Sequence, residues 1–237
     1  MGNTTAAIGK GFAIGSAAFA TLGLITAYIS TIVSNIAIQG GERNVFMNVI
    51  TNPYFIGGLL FGGMLPYFLS ALLAEGVGKI AFKIIHEVRR QFKEIKGLME
   101  GQAEADAAKC VDIAADGAIK YMLFPGLLAV SIPIIAGFVF GPITLAGILI
   151  GSLVTGLPLG IQTANSGAAM DNAKKYIEEG NFGGKNTPAH KSAIIGDAVG
   201  DPLKDTIGPS INIFIKLISI IALVIAPIIV NISLLNH

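Results

Sequence analysis

The chain has 237 residues, a mean hydropathy of +0.70 and charged side chains at only 13% of positions, whereas a soluble globular domain charges roughly a quarter of its residues. Four windows, 11–41, 44–74, 121–170 and 206–236, hold 143 residues and one charged side chain, Lys216, so the other 30 charges crowd into 94 residues. Uncharged stretches of that length read as membrane spans, which excludes a disordered chain, a nucleic-acid-binding domain and an ordinary soluble enzyme. A formal net charge of +1 offers nothing to a polyanionic partner, and the single Cys110 excludes an internal disulfide framework and a Cys/His metal spacing.

A spanning helix needs about 20 apolar residues, so the window 121–170 is too long for one helix and divides at Gly137-Phe138-Val139-Phe140-Gly141-Pro142. The predicted fold is an all-α polytopic transmembrane helix bundle. It forms one membrane domain over 1–237, with five spans at about 9–38, 53–80, 119–138, 142–168 and 206–234. The first exceeds the length of a signal-peptide core and lacks a basic leader, so it counts as structure. Charged loops fall at about 81–118 and 169–205. Segment 75–120 carries eight lysines and arginines and segment 171–205 carries five, against Arg43 alone in 39–52. The positive-inside bias therefore predicts a multi-pass protein with both charged loops cytoplasmic, the N-terminus inside and the C-terminus outside. Thirty glycines, among them the pairs Gly57-Gly58 and Gly62-Gly63 and the Gly147-x3-Gly151 spacing, predict closely packed helices.

Chemistry concentrates in Ile195-Gly196-Asp197-Ala198-Val199-Gly200-Asp201-Pro202-Leu203-Lys204-Asp205. On a helix, Asp197, Asp201, Lys204 and Asp205 stand at i, i+4, i+7 and i+8 and share a face. Three carboxylates there need cations between them. Mg2+, a hard ion held by carboxylates and phosphate oxygens, fits that need, with Lys204 as a point charge for phosphate. Pro202 must then lie in a first turn or at a kink. The competing reading is a solvated helix end of mixed charge. A second cluster, Met170-Asp171-Asn172-Ala173-Lys174-Lys175-Tyr176-Ile177-Glu178-Glu179, places Asp171 and Lys174 on one face. The alternative makes Lys174 and Lys175 simple topology anchors. The loop between the clusters reads as a flexible crossover in which His190 is solvated.

Lys216 is the one charge inside a span, where an ionisable group marks an ion pathway or a buried pair. It lies about 16 Å along a helix from Asp205, and no predicted span contains its carboxylate partner. The alternative is a lysine snorkelling to the interface. Gly9-Lys10-Gly11 is rejected as a phosphate loop, because the hydroxyl residue after the lysine and the glycine five residues upstream are both missing. Lys10 counts only towards an inside N-terminus. The basic run Arg89-Arg90-Gln91-Phe92-Lys93 is a topology anchor, with contact to anionic lipid as the other reading.

The strings Gly2-Asn3-Thr4-Thr5-Ala6-Ala7-Ile8-Gly9-Lys10-Gly11, Glu87-Val88-Arg89-Arg90-Gln91-Phe92, Lys96-Gly97-Leu98-Met99-Glu100-Gly101, Asp171-Asn172-Ala173-Lys174-Lys175-Tyr176, Gly196 through Asp205 and Gly208 through Leu217 resemble the C-terminal part of the membrane-bound, ion-translocating inorganic pyrophosphatases. The likeness covers the whole chain but about a third of a full member, which has sixteen helices and forms a homodimer. It implies that Asn3, Asp171, Asp197 and Asp201 hold magnesium around pyrophosphate, that Lys174 and Lys204 contact the diphosphate, and that Asp205 helps orient and deprotonate the attacking water. It implies that Lys216 belongs to the gate of a proton or sodium channel. Ala6, where potassium-independent members carry lysine, implies activation by K+. Met170 and Ile207 depart from the tryptophan and serine usual beside these motifs.

By the same resemblance, further metal ligands, another diphosphate-binding lysine, a second water-activating aspartate and the acidic partners of Lys216 lie upstream. The expectation is a fragment or one half of a split gene, inactive without the missing N-terminal portion. The competing expectation is a non-catalytic remnant or a small anion-binding membrane protein.

Overall fold

The computed structural model describes the backbone of residues 2–38 and 49–232, and side chains over 8–35 and 49–232. Its elements in chain order are α1 (Gly2–Ile38), α2 (Pro53–Glu94), α3 (Ala107–Ile135), a π-helical turn Ala136–Phe140, α4 (Gly141–Glu178), a 3-10 turn Asn181–Gly183, α5 (Pro188–Asp201), a second π-helical segment Pro202–Ile207 and α6 (Gly208–Ile232). The described residues form an all-α membrane helix bundle, and the protein is an integral, multi-pass membrane protein.

Two compact units are present, one comprising Met1–Ser70 and Leu128–His237, the other Ala71–Leu127. In the larger unit α6 is apolar around most of its surface, with Lys216 its one charge. Ile211, Phe214, Ile215, Ile218, Ala222 and Ile229 recur at helical spacing and are buried, while Ile213, Ile220, Val224 and Ile228 stay exposed. An outward apolar face of this kind suits lipid rather than water. α1 contributes buried Ile14, Ala17, Ile25 and Tyr28, and α4 contributes Leu145, Ile148 and Leu149. The Tyr28 hydroxyl donates to the Pro142 carbonyl at 2.9 Å. Lys10 reaches the start of the second π-helical segment, so α1 runs antiparallel to α4.

The first part of α2 meets α4 along a glycine seam. A Cβ at Gly58 would land on the Thr144 carbonyl, at Gly62 on the Ile148 carbonyl, at Gly147 on the Phe55 carbonyl and at Gly151 on the Leu59 carbonyl. Two small-xxx-small pairs therefore interlock backbone against backbone. Van der Waals contact over such close faces drives helix association where lipid removes the hydrophobic incentive. Ser152 Oγ donates to the Gly62 carbonyl at 3.0 Å and Thr155 Oγ1 to the Gly63 carbonyl at 2.9 Å.

α3 and α4 are joined through 136–141, within the glycine- and proline-marked turn. Gly141 adopts φ 87°, ψ 173°, a conformation that excludes an ordinary side chain. At about 1.5 Å per residue α4 is about 57 Å long, nearly twice a hydrocarbon core, so its charged last turns lie beyond the apolar run.

The smaller unit is a hairpin of the later part of α2 and the earlier part of α3. Gly76 receives Tyr121, and Gly117 receives Ile80. The buried Gln91 amide donates to the Asp106 carbonyl and accepts from the Asp106 N–H, each at 2.9 Å, and so clasps the turn. The segments expected as loops are largely helical. α2 continues to Glu94 and α3 begins at Ala107, leaving 95–106 as the connection. In the second, α4 runs to Glu178 and α5 starts at Pro188. Charge ends an apolar window but not a helix: Arg90 bridges Glu87 and Glu94 at i,i+3 and i,i+4, the pairing that sustains a solvated helix.

Candidate functional site

The charged end of the larger unit is built by a close approach of α4 and α5. Gly167 faces Gly200 so tightly that a Cβ on Gly167 would collide with the Gly200 carbonyl and with Lys204 Cβ. The aspartates and lysines one to two turns beyond Gly167 on α4 and on either side of Gly200 then converge.

Lys204 is the centre. Its side chain is 7% exposed, and its ammonium lies 3.0 Å from Asp171 Oδ2, 3.1 Å from Asp201 Oδ1 and 3.7 Å from Asp205 Oδ2. Lys174 pairs with Asp197 Oδ2. Lys175 pairs with Asp171 Oδ1 at 3.1 Å. Lys10 of α1 pairs with Asp205 Oδ1 and donates to the Lys204 carbonyl at 2.9 Å. Four aspartates thus meet four lysines, and the cluster is neutral. Burial works against charge on Asp171, yet hydrogen bonds from Lys204 and Lys175 hold its carboxyl below the ordinary value. Burial likewise opposes the Lys204 charge, and Asp171 and Asp201 overcome it to raise the ammonium's pKa.

One atom in the cluster is unsatisfied. Asp197 Oδ1 is buried with no hydrogen-bond partner among the described residues, a costly arrangement for a carboxylate oxygen. Ligand oxygens of Asp171, Asp197 and Asp201 all lie within 4.8 Å of one another. An oxygen-only donor set with one oxygen to spare fits a hard divalent cation.

Pro202 produces the second π-helical segment. It has no N–H for the ladder, and the Gly208 N–H bonds to the Leu203 carbonyl, five residues back. Such a bulge re-aims side chains. Asp197 and Lys204 are buried, at 10% and 7% side-chain exposure, whereas the Asp201 and Asp205 side chains are 50% and 55% exposed. The four residues therefore do not form the single stripe that a straight helix predicts. Asp171 and Lys174 also diverge, the first to Lys204 and Lys175, the second to Asp197.

The crossover is held rather than loose. Thr187 Oγ1 caps α5 by accepting from His190 N–H, Asn186 N–H donates to His190 Nδ1 at 3.1 Å, and His190 Nε2 meets Glu178 Oε1 at 3.1 Å. His190, expected in solvent, is buried. Its partner lies twelve residues upstream, a contact that local spacing does not give. The hydrogen bond from His190 holds the Glu178 carboxyl below its ordinary value.

Asn3 and Ala6 lie on α1, and their side chains fall outside the described residues. Lys216 is half-buried on α6, and no carboxylate within 4 Å of it occurs among the described residues. The residues that sequence reasoning passed over are Gly167 and Gly200, which bring the clusters together, and Lys10, whose contact with Asp205 spans 195 positions.

The described residues thus form a polytopic membrane helix bundle with a lysine-balanced aspartate cluster at its helix ends. Residues 1–225 match the family model described as inorganic H+ pyrophosphatase, and the chain belongs to that family. It is 51% identical over 232 residues to a putative K(+)-stimulated pyrophosphate-energized sodium pump of Clostridium tetani, covering 98% of this chain and 33% of the relative. It is 49% identical over 239 residues to a K(+)-insensitive pyrophosphate-energized proton pump of Chloroflexus aurantiacus, covering 98% and 31%. A K(+)-stimulated pyrophosphate-energized sodium pump of Thermotoga maritima is 46% identical over 226 residues, covering 94% and 31%. The chain spans about a third of the length of the curated relatives it matches.

Proposed function

We propose that the chain supplies one part of the hydrolytic site and ion path of a membrane pyrophosphatase that couples cleavage of pyrophosphate to translocation of a proton or sodium ion. The observation that carries this reading is the Asp171, Asp197 and Asp201 cluster with its unsatisfied Asp197 oxygen, enclosed by Lys174 and Lys204, in a chain of this family. These three aspartates, with Asn3, are the residues to hold magnesium. Held there, Mg2+ would supply neutralisation of the phosphate charge. Lys174, paired with Asp197, and Lys204, paired with Asp171 and Asp201, are the ammonium groups that would take phosphate oxygens. Asp205, exposed at the rim between Lys10 and Lys204, orients a water and accepts its proton as the oxygen attacks phosphorus and two phosphates part. The chemistry depends on positioning and charge more than on covalent catalysis.

Lys216, inside the apolar run of α6, is the gate residue of the ion path. Its carboxylate partners, and the rest of the diphosphate site, come from the two-thirds of the relatives' length that this chain does not span, so this stretch alone is inactive. The complete protein is a homodimer in the lipid bilayer, with the cluster on the cytoplasmic side and the C-terminus outside. Ala6 makes potassium an activator; overall similarity does not separate the two classes, since the K(+)-stimulated and K(+)-insensitive relatives are almost equally close.

The experiment is to express the chain with and without the remaining portion of a full-length relative and to measure magnesium-dependent phosphate release from pyrophosphate, then ion uptake into sealed vesicles. Activity is expected only in the combination, and Asp205→Asn is expected to abolish it. Activity of the isolated chain would contradict the shared site, and an inert combination would sink the enzymatic reading. Ala6→Lys is expected to relieve the need for potassium.

A further inference from the structure

We infer that Lys10 is a positioning residue for Asp205, holding its carboxylate at the rim of the cluster in the orientation that meets the attacking water. The inference rests on the proposed pyrophosphatase reading and extends it to a residue for which the sequence suggested only a topological role. Lys10 lies on α1, remote in sequence from both of its contacts, and its ammonium makes two of them: Asp205 Oδ1 and the Lys204 carbonyl, the latter at 2.9 Å. These two acceptors belong to adjacent residues, so one ammonium bridges the backbone and the side chain of the same short stretch.

That stretch is the place in α6's approach where the helical ladder is irregular. The Gly208 N–H is directed to Leu203, five residues back, and Pro209, which follows it, carries no N–H at all. In the break between them, Lys10 donates to the Lys204 carbonyl from a different helix. The second Asp205 oxygen lies 3.7 Å from the Lys204 ammonium. Asp205 is thus suspended between two cations while its side chain remains 55% exposed. An exposed aspartate on a regular helix samples several rotamers; one tethered through Oδ1 has its Oδ2 edge aimed. Lys10 is itself largely covered, at 25% side-chain exposure, which limits its own freedom. It touches Asp205 and not the three carboxylates grouped as cation ligands, so its loss perturbs water orientation more than cation or substrate capture.

The test uses the complete assembly. Lys10→Met is expected to lower kcat by about tenfold to a hundredfold, the range that a misplacement of about 1 Å produces, while KM for magnesium pyrophosphate changes by less than about threefold. Lys10→Arg is expected to restore most of kcat by reaching the same two oxygens. Combining Lys10→Met with Asp205→Asn is expected to cost no more than Asp205→Asn alone. An unchanged kcat in Lys10→Met, a loss that resides in KM, or losses that multiply in the double variant overturn the role.

The contact is also read without activity, from melting of the isolated chain in detergent. Lys10→Met and Asp205→Asn are expected to lower Tm by amounts that do not add, and additive shifts overturn it. If the unsubstituted assembly releases no phosphate, the pyrophosphatase reading fails, and the melting cycle still decides the contact.

Discussion

α4 makes two kinds of close approach along its length, and they serve different ends. Near its start Gly147 and Gly151 interlock with Gly58 and Gly62 of α2 across an apolar seam. Near its end Gly167 meets Gly200, and charged side chains gather around the contact. The local device is the same, a missing Cβ that lets backbone touch backbone. In the seam the closeness is itself the product, because packing is what holds helices together in lipid. At the charged end it is a means, bringing Asp171 and Lys174 of α4 within ion-pair distance of Lys204 and Asp197. Glycine spacing therefore reports a close approach and says nothing about what the approach is for.

The most damaging test of the charged end is Lys204→Ala. Removing the buried cation leaves the buried Asp171 with Lys175 as its remaining partner, and the loss of one partner from a buried pair costs up to about 3–5 kcal/mol. Melting in detergent should show a fall far larger than for Lys79→Ala, whose pair with Glu75 lies in solvent. Equal falls would mean that the cluster contributes no more than surface charge.

Next come matched glycine substitutions. Gly151→Ala and Gly167→Ala each force a methyl into a backbone carbonyl and should cost about 1–3 kcal/mol by overpacking. The two should part in function. In the assembled protein, Gly167→Ala should lose pyrophosphate hydrolysis beyond what its Tm loss explains, while Gly151→Ala retains kcat in the folded fraction. Parallel losses would erase the distinction between the regions.

Smaller effects refine it. Thr187→Ala removes the cap of α5 and should cost about 1 kcal/mol, with proteolysis between 179 and 187 as a second readout. Ser152→Ala removes one hydrogen bond across the seam and should cost only about 0.6 kcal/mol, close to the limit of melting measurements. A Ser152→Ala loss above that of Gly151→Ala would show that polar bonding, not close packing, holds the seam.

Much of the bundle was legible because membrane insertion imposes simple rules on composition. An apolar run of sufficient length must be a helix, since lipid offers its backbone no partner, and the α3–α4 turn announced itself through Gly137, Gly141 and Pro142. The extent of the helices was less legible. Charge marks where apolar sequence stops, yet α2 and α4 continue past that point on ion pairs such as Glu87–Arg90. Within the cluster, Asp197, Asp201, Lys204 and Asp205 were recognisable as neighbours at helical spacing. The π-helical segment that begins at Pro202 then turned Lys204 inwards and left Asp201 and Asp205 half exposed, an orientation that spacing alone does not give.

The sequence by itself determined a membrane helix bundle, the segregation of 30 charges from the apolar windows and the residue types able to hold a metal-associated anion, because these depend on composition and short-range periodicity. Only the tertiary structure decided which lysine faces which aspartate, why Asp197 Oδ1 is left unsatisfied, that His190 is buried against Glu178, and that Lys10 reaches Asp205. Each of these follows from how close two helices come and how each is rotated, quantities set by Gly167, Gly200 and a π-helical segment acting together. Ion pairs between residues 195 positions apart leave no local trace in the chain.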